Sequence, residues 1–171
     1  MILEEYIIPF GGLKEGVYEY EFRAEDKFFA QFNNQDIIGG SIKTHLILLK
    51  KNNFLELDFH ITGLLKLICD RCLDEFNMDI ESKQKLYVRF GKTYEELSDN
   101  VVIIPEGETR LNIAQYIFEF SALSVPIKKV HPADNNGELT CNAEMLILLD
   151  KYTSDQPEIN PVWNNLRNIL N

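Results

Sequence analysis

Alternating apolar and polar side chains along residues 54–62 predict a strand with one buried and one solvated face. The apolar positions are Leu55, Leu57, Phe59 and Ile61. The same kind of pattern extends from Ile37 to Phe90 and predicts a meander of long strands, with a hairpin tip at residues 50–53. Earlier in the chain, residues 17–22 alternate in the same way and predict a half-buried strand.

Helical patterns flank this meander. Residues 24–32 can form two helical turns, and Asn112 is a suitable N-cap for a helix that ends before Pro126. The second helix has the apolar spacing of one buried face, at Ile113, Tyr116, Ile117 and Phe120. Near the end of the chain, Asn160 and Pro161 predict the start of a short helix that contains Trp163.

These elements predict an α+β fold. Its sheet is expected to be mostly antiparallel and strongly twisted or barrel-like, with the helix at residues 112–124 packed on it. Residues 1–150 are expected to form a single domain, and residues 151–171 a linker followed by a short C-terminal helix. The 171 residues, 45% hydrophobic and 26% charged, have the apolar content of one compact domain.

Composition and charge narrow the class of protein. The start of the chain is acidic, and the longest apolar run, residues 145–149, is far too short to cross a bilayer, so we expect a soluble, cytoplasmic protein that does not bind a membrane. The net charge is −10, which disfavours a broad field for nucleic acid. Residues 33–92 nevertheless carry 9 basic against 8 acidic side chains, between two acidic flanks.

Common catalytic motifs are missing from the sequence. It has no phosphate-binding glycine loop, no His-Glu-x-x-His helix and no Gly-x-Ser-x-Gly elbow. The three histidines leave few candidates for a general base. We therefore expect a protein that is not an enzyme, and no small-molecule substrate is evident.

Cys69 and Cys72 are separated by two residues, so one tight turn can direct both sulfur atoms to a common point. A redox pair is disfavoured because the turn lies between strands, whereas redox cysteines usually open a helix that lowers the thiol pKa. A zinc site needs two further ligands, and His131 and Cys141 are the candidates for a Cys3His set. Their spacing is not that of a recognised zinc finger, which favours the alternative of three reduced thiols with partly buried packing roles.

A row of basic side chains with one aromatic residue lies on a single face of the last long strand. Its members are Lys83, Lys85, Tyr87 and Arg89. Such a row is suited to RNA, because cations contact phosphates and a ring stacks on a base. A solvated face with edge lysines that discourage aggregation has the same pattern.

The run Cys-Asp-Arg-Cys-Leu-Asp-Glu-Phe at residues 69–76 resembles the Cys-x-Arg-Cys-Leu signature of the bacterial YceD family, the large ribosomal RNA subunit accumulation proteins. A helix that closes in Pro126, with His131 shortly after, is similar to another segment of that family, as is the ending at residues 160–166. Some relatives carry a cysteine-rich C-terminal knuckle, whereas here only Cys141 stands in that region.

The resemblance implies a non-catalytic ribosome biogenesis factor that supports accumulation of large-subunit ribosomal RNA. The resemblance does not identify the molecule that is bound; from the charge pattern we expect either a large-subunit ribosomal protein, held by the acidic flanks, or the rRNA itself. The RNA surface would combine Arg71 with Lys83, Lys85, Tyr87 and Arg89. The alternative is a zinc-binding structural module or a redox module that uses the Cys69–Cys72 turn.

Overall fold

The computed structural model describes residues 4–134, 136–137 and 139–153. Its helices are α1 (Asp26–Phe29), α2 (Ala114–Ala122) and α3 (Ala143–Thr153). Its strands are β1 (Ile7–Ile8), β2 (Gly16–Ala24), β3 (Ile37–Lys50), β4 (Phe54–Ile68), β5 (Glu75–Gly91), β6 (Glu95–Ser98), β7 (Val101–Pro105) and β8 (Leu111–Asn112). The α+β class predicted from the sequence is consistent with this set of elements.

Six of these strands form one sheet in the order β2-β3-β4-β5-β7-β6. Neighbouring strands are antiparallel, except for β5 and β7, which are parallel. The sheet is open, with β2 at one edge and β6 at the other, so the barrel-like form is wrong while the largely antiparallel pairing is right. Strands β1 and β8 form a separate antiparallel pair.

The alternating positions of β4 lie where the sequence places them. Leu55, Leu57, Phe59 and Ile61 are buried, and the polar residues between them are partly exposed. The inner face of the sheet is covered by helices, and its outer face carries the polar positions. This division separates the hydrophobic core from a broad solvent-facing surface.

Helix α2 packs on the inner face of β4 and β5 through an aromatic cluster. The ring of Phe120 meets Phe59 edge to face at a centroid distance of 5.1 Å, and Phe118 stacks on Phe32 at 4.2 Å. The helix is shorter than residues 112–124. The N-cap residue is Ile113, so the predicted cap is off by one position. Asn112 lies just before it, and its Oδ1 accepts the N–H of Ala114 at 2.9 Å, which satisfies one free N–H at the helix start.

Helix α3 is an element that the sequence patterns did not predict. It ends at Thr153, so the first three residues of the predicted linker are helical. The rest of that linker and the predicted terminal helix with Trp163 lie outside the described residues. Among the described residues, no helix is both long and apolar enough to cross a membrane.

Candidate metal centre

The turn between β4 and β5 holds Cys69 and Cys72 close together, and both thiols are buried. The N–H of Cys69 donates to the carbonyl of Asp74 at 2.9 Å, and the N–H of Leu73 donates to the carbonyl of Cys69 at 2.9 Å. Leu73 has a φ of 62°, the left-handed conformation that zinc knuckles usually reserve for glycine after the second cysteine. Leu73 therefore takes the backbone conformation for which a glycine is usual at this position.

His131 and Cys141 come from much later in the chain and lie beside this turn. The Sγ atom of Cys72 lies 3.4 Å from Nδ1 of His131, and the Sγ atoms of Cys69 and Cys141 lie 3.9 Å apart. One ligand atom from each of the four residues lies within 4.8 Å of the other three. The four residues selected from the sequence thus form one cluster.

Asp70 fastens the segment that precedes His131 to the turn. The N–H of Asp70 donates to the carbonyl of Lys129 at 2.7 Å, and the N–H of Lys129 donates to Oδ2 of Asp70 at 2.6 Å. The Lys129 ammonium lies 3.1 Å from Oδ1 of Asp70 and 3.2 Å from a carboxylate oxygen of Asp36. The backbone N–H and the ammonium of Lys129 lower the pKa of Asp70, and the two carboxylates raise the pKa of Lys129.

Asn142 fixes the other half of the cluster because it follows Cys141 directly and caps α3. Its Oδ1 accepts the N–H groups of Glu144 and Met145 at 3.0 and 3.4 Å, and its Nδ2 donates to Asp74 at 3.0 Å. The cap therefore ties the start of α3 to the cysteine turn.

The thiols of the cluster differ in acidity. Burial acts to raise the pKa of Cys69, but hydrogen bonds from the backbone of Cys72, Arg71 and His131 and from the His131 ring outweigh it and lower that pKa to about 6. Burial, together with the neighbouring Cys69 and Cys72, raises the pKa of Cys141. The cluster therefore favours a thiolate at Cys69 at neutral pH and opposes a second negative charge at Cys141.

A divalent cation would remove this conflict. In a tetrahedral zinc site with Zn–S bonds of about 2.3 Å and Zn–N bonds of about 2.0–2.1 Å, two sulfurs lie about 3.8 Å apart and a sulfur and a nitrogen about 3.5 Å apart. The distances of 3.9 and 3.4 Å match these values. Three thiolates around Zn²⁺ leave one negative charge, and Nη1 of Arg71 lies 4.0 Å from the Cys141 sulfur, where it can balance that charge.

The structure does not bring Arg71 together with the other predicted contact residues. Arg71 lies at the cysteine turn, whereas Arg89 is near the far end of β5, roughly 45 Å away along the strand. Arg71 instead belongs to the surroundings of the Cys/His cluster.

The remaining basic row does share the outer face of the sheet, but its lysines are paired with carboxylates. Lys83 contacts Glu81 at 2.9 Å, and Lys85 contacts both Glu56 and Asp58. These two carboxylates raise the pKa of Lys85. The row is therefore close to neutral over most of its length.

Arg89 and Tyr87 lie at the less compensated end of this row. Within the described part of the chain, Arg89 takes part in no ion pair. Its neighbour across the strand pair is Phe54, and the three side chains line an open groove of about 600 Å³ on the outer face. The groove offers two aromatic rings and one cation to a ligand, beside the Glu56 carboxylate that is paired with Lys85.

Sequence reasoning missed the residues that hold the cluster together. The contact between Asp70 and Lys129 joins residues far apart in the chain, so no local pattern predicts it. Asn142 had a detectable signal, because an asparagine shortly before the apolar run at residues 145–149 is a usual N-cap.

The part of the chain that contains the Cys/His cluster matches a known protein family. The family described as large ribosomal RNA subunit accumulation protein YceD matches residues 57–170, which is more than half of the chain and includes all four members of the cluster. Comparison with curated proteins and with solved structures gives no match. The chain belongs to the YceD family of large ribosomal RNA subunit accumulation proteins.

Proposed function

We propose that this chain is a non-catalytic factor that supports accumulation of large-subunit ribosomal RNA by binding a component of the large subunit. The observation that carries this proposal is the family match over residues 57–170. That region includes the central strands, the cysteine turn, α2 and α3. The proposal therefore rests on a match to most of the folded chain rather than to one isolated motif.

We further propose that Cys69, Cys72, His131 and Cys141 bind one structural zinc ion. Four protein ligands fill a tetrahedral shell, which is typical of structural zinc, whereas catalytic zinc keeps one position for water or substrate. The burial of the three thiols supports the same role. The ion would join the β4–β5 turn to the segment that leads into α3, so it would hold the start of α3 beside that turn.

A ribosomal protein is the partner that the charge distribution favours. Carboxylates balance Lys83 and Lys85, so the outer face of the sheet has little positive charge to attract the RNA backbone. The chain as a whole carries −10. Many proteins that bind rRNA are basic, and an acidic factor attracts such a protein by long-range electrostatics.

Ribosomal RNA is the second candidate partner, and one observation favours it. Phe54, Tyr87 and Arg89 lie together on a sheet face that no described helix covers. Aromatic rings on an uncovered sheet face can stack on unpaired bases, and a nearby arginine can contact a phosphate. This surface is small, because the lysines beside it are paired.

Affinity capture of the tagged chain, with and without RNase treatment, tests the proposal. We expect large-subunit ribosomal proteins to be recovered well above small-subunit proteins, and to stay bound after RNase. Recovery that RNase abolishes would support the rRNA partner, in which case Arg89→Gln should weaken it more than Lys83→Gln, the matched change at a paired cation. Loss of all large-subunit association in both conditions would contradict the proposed function.

A further inference from the structure

A groove lies between α2 and β6, away from the Cys/His cluster and from the outer face of the sheet. Its volume is about 720 Å³. Val102 is buried at its floor, Tyr116 and Phe118 are half-buried, and Leu123 at its mouth is 69% exposed. The groove therefore presents an apolar surface to solvent on the side of the sheet that the helices cover.

Carboxylates surround this apolar floor. Glu96 and Asp99 approach from the β6 side and Glu119 from α2, and all three are exposed. Neutral groups donate hydrogen bonds to two of them, Tyr94 to Glu96 at 2.6 Å and Gln115 to Glu119 at 2.8 Å. Over the described ranges no ion pair includes any of the three carboxylates. These neutral donors leave the charge in place, so the groove is strongly negative.

Strand β6 also has an open edge. It ends the strand order of the main sheet and pairs with β7 on one side, and in the described part of the chain no strand pairs with its other side. An extended peptide can join such an edge through main-chain hydrogen bonds. The four residues of β6 give room for a short stretch of added strand beside the groove.

We propose that the groove between β6 and α2 binds an extended, lysine- or arginine-rich segment of a protein. Main-chain bonding to β6 would orient the segment, its cations would meet Glu96, Asp99 and Glu119, and an apolar side chain would contact Leu123. This inference rests on the proposed function and names the surface and the partner chemistry for it. A second copy of this chain would bring glutamates of β6 against each other, and the same carboxylates would repel RNA.

Fluorescence anisotropy with purified protein tests this inference. The probe is a fluorescein-labelled peptide of about eight residues, in which lysine alternates with valine so that it suits an added strand. A peptide with glutamate in place of lysine and an oligouridine of similar length serve as comparison probes. We expect the lysine peptide to bind and the other two probes to bind much more weakly.

Matched variants distinguish binding in the groove from general attraction between opposite charges. Glu96→Gln with Glu119→Gln should weaken binding of the lysine peptide about fivefold to tenfold. Glu106→Gln with Glu108→Gln makes the same change in charge in an exposed loop outside the groove and should have little effect. Leu123→Ser changes no charge and should weaken binding about threefold through the lost apolar contact.

Equal weakening by the two double variants would overturn the inference, since it would mean diffuse electrostatic attraction. Unchanged binding in Leu123→Ser, or tighter binding of oligouridine than of the lysine peptide, would also overturn it. The assay uses a synthetic peptide, so it is independent of ribosome association. Large-subunit recovery that persists while the groove fails these tests would leave the proposed function standing.

Discussion

Replacing Cys72 by serine is expected to abolish binding of the proposed zinc ion and to release His131 from the β4–β5 turn. A serine hydroxyl is a poor zinc ligand, and three remaining ligands hold the ion far less tightly than four. We expect the metal content of the purified protein to fall from about one zinc per chain to near zero. The main sheet should stay folded, because most of its core lies away from the thiols.

Metal analysis measures the loss of zinc, and hydrogen exchange measures the release of the segment that contains His131. Faster exchange should be confined to the cysteine turn and to the segment from Lys129 to the start of α3. His131→Gln should have the same effect, whereas His60→Gln is the matched control, because His60 lies on the outer face and contacts Glu81. If His131→Gln and His60→Gln retain equal zinc, the proposed ligand set is wrong.

Replacing Gly63 by alanine is expected to destabilise the protein by about 3 kcal/mol or more, because two fixed backbone segments meet at this residue. Gly63 has a φ of +145°, and an added Cβ would lie 2.3 Å from the carbonyl oxygen of Ser41 and 2.7 Å from Cα of Ile42. Gly63 pairs with β3 on one side and β5 on the other, so neither neighbour can move without disturbing the sheet.

Denaturant unfolding of Gly63→Ala and Gly107→Ala provides the comparison. An alanine Cβ at Gly107 would meet no atom within 4 Å, so the free energy of unfolding should change by no more than about 0.5 kcal/mol. Similar losses of stability in the two variants would contradict the close approach of β3 and β4 at Gly63.

The long strands could be predicted because their signal is local. Residues such as Leu57 and Phe59 face the core or the solvent according to a two-residue period that is read directly from the chain. The period does not say how the final strands pair. Strand β7 pairs with β5 in parallel, and β6 ends the sheet at an open edge. Whether a sheet closes into a barrel depends on such pairing between distant strands, which a local sequence pattern does not reveal.

Helix α3 escaped prediction for a different reason. Its apolar residues run consecutively from Met145 to Leu149 instead of following one helical face, so the helical period is weak. The start signal at Asn142 was present, and the apolar run alone is compatible with either a strand or a helix.

The candidate site was predicted in part. The four potential zinc ligands could be identified from their residue types, and the fold brings their ligand atoms within 4.8 Å of one another. The predicted basic surface carries less net positive charge than the sequence alone indicates, because charge pairing across strands depends on register. Glu56 and Asp58 of β4 lie beside Lys85 of β5, and this alignment is visible only once the hairpin is built.

The proposed role in accumulation of large-subunit ribosomal RNA is tested most directly by the ratio of this RNA to small-subunit RNA in cells that lack the gene. We expect a lower ratio than in the parent cells, restored when the wild-type chain is expressed again. An unchanged ratio and an unchanged profile of ribosomal subunits in the cells that lack the gene would contradict it.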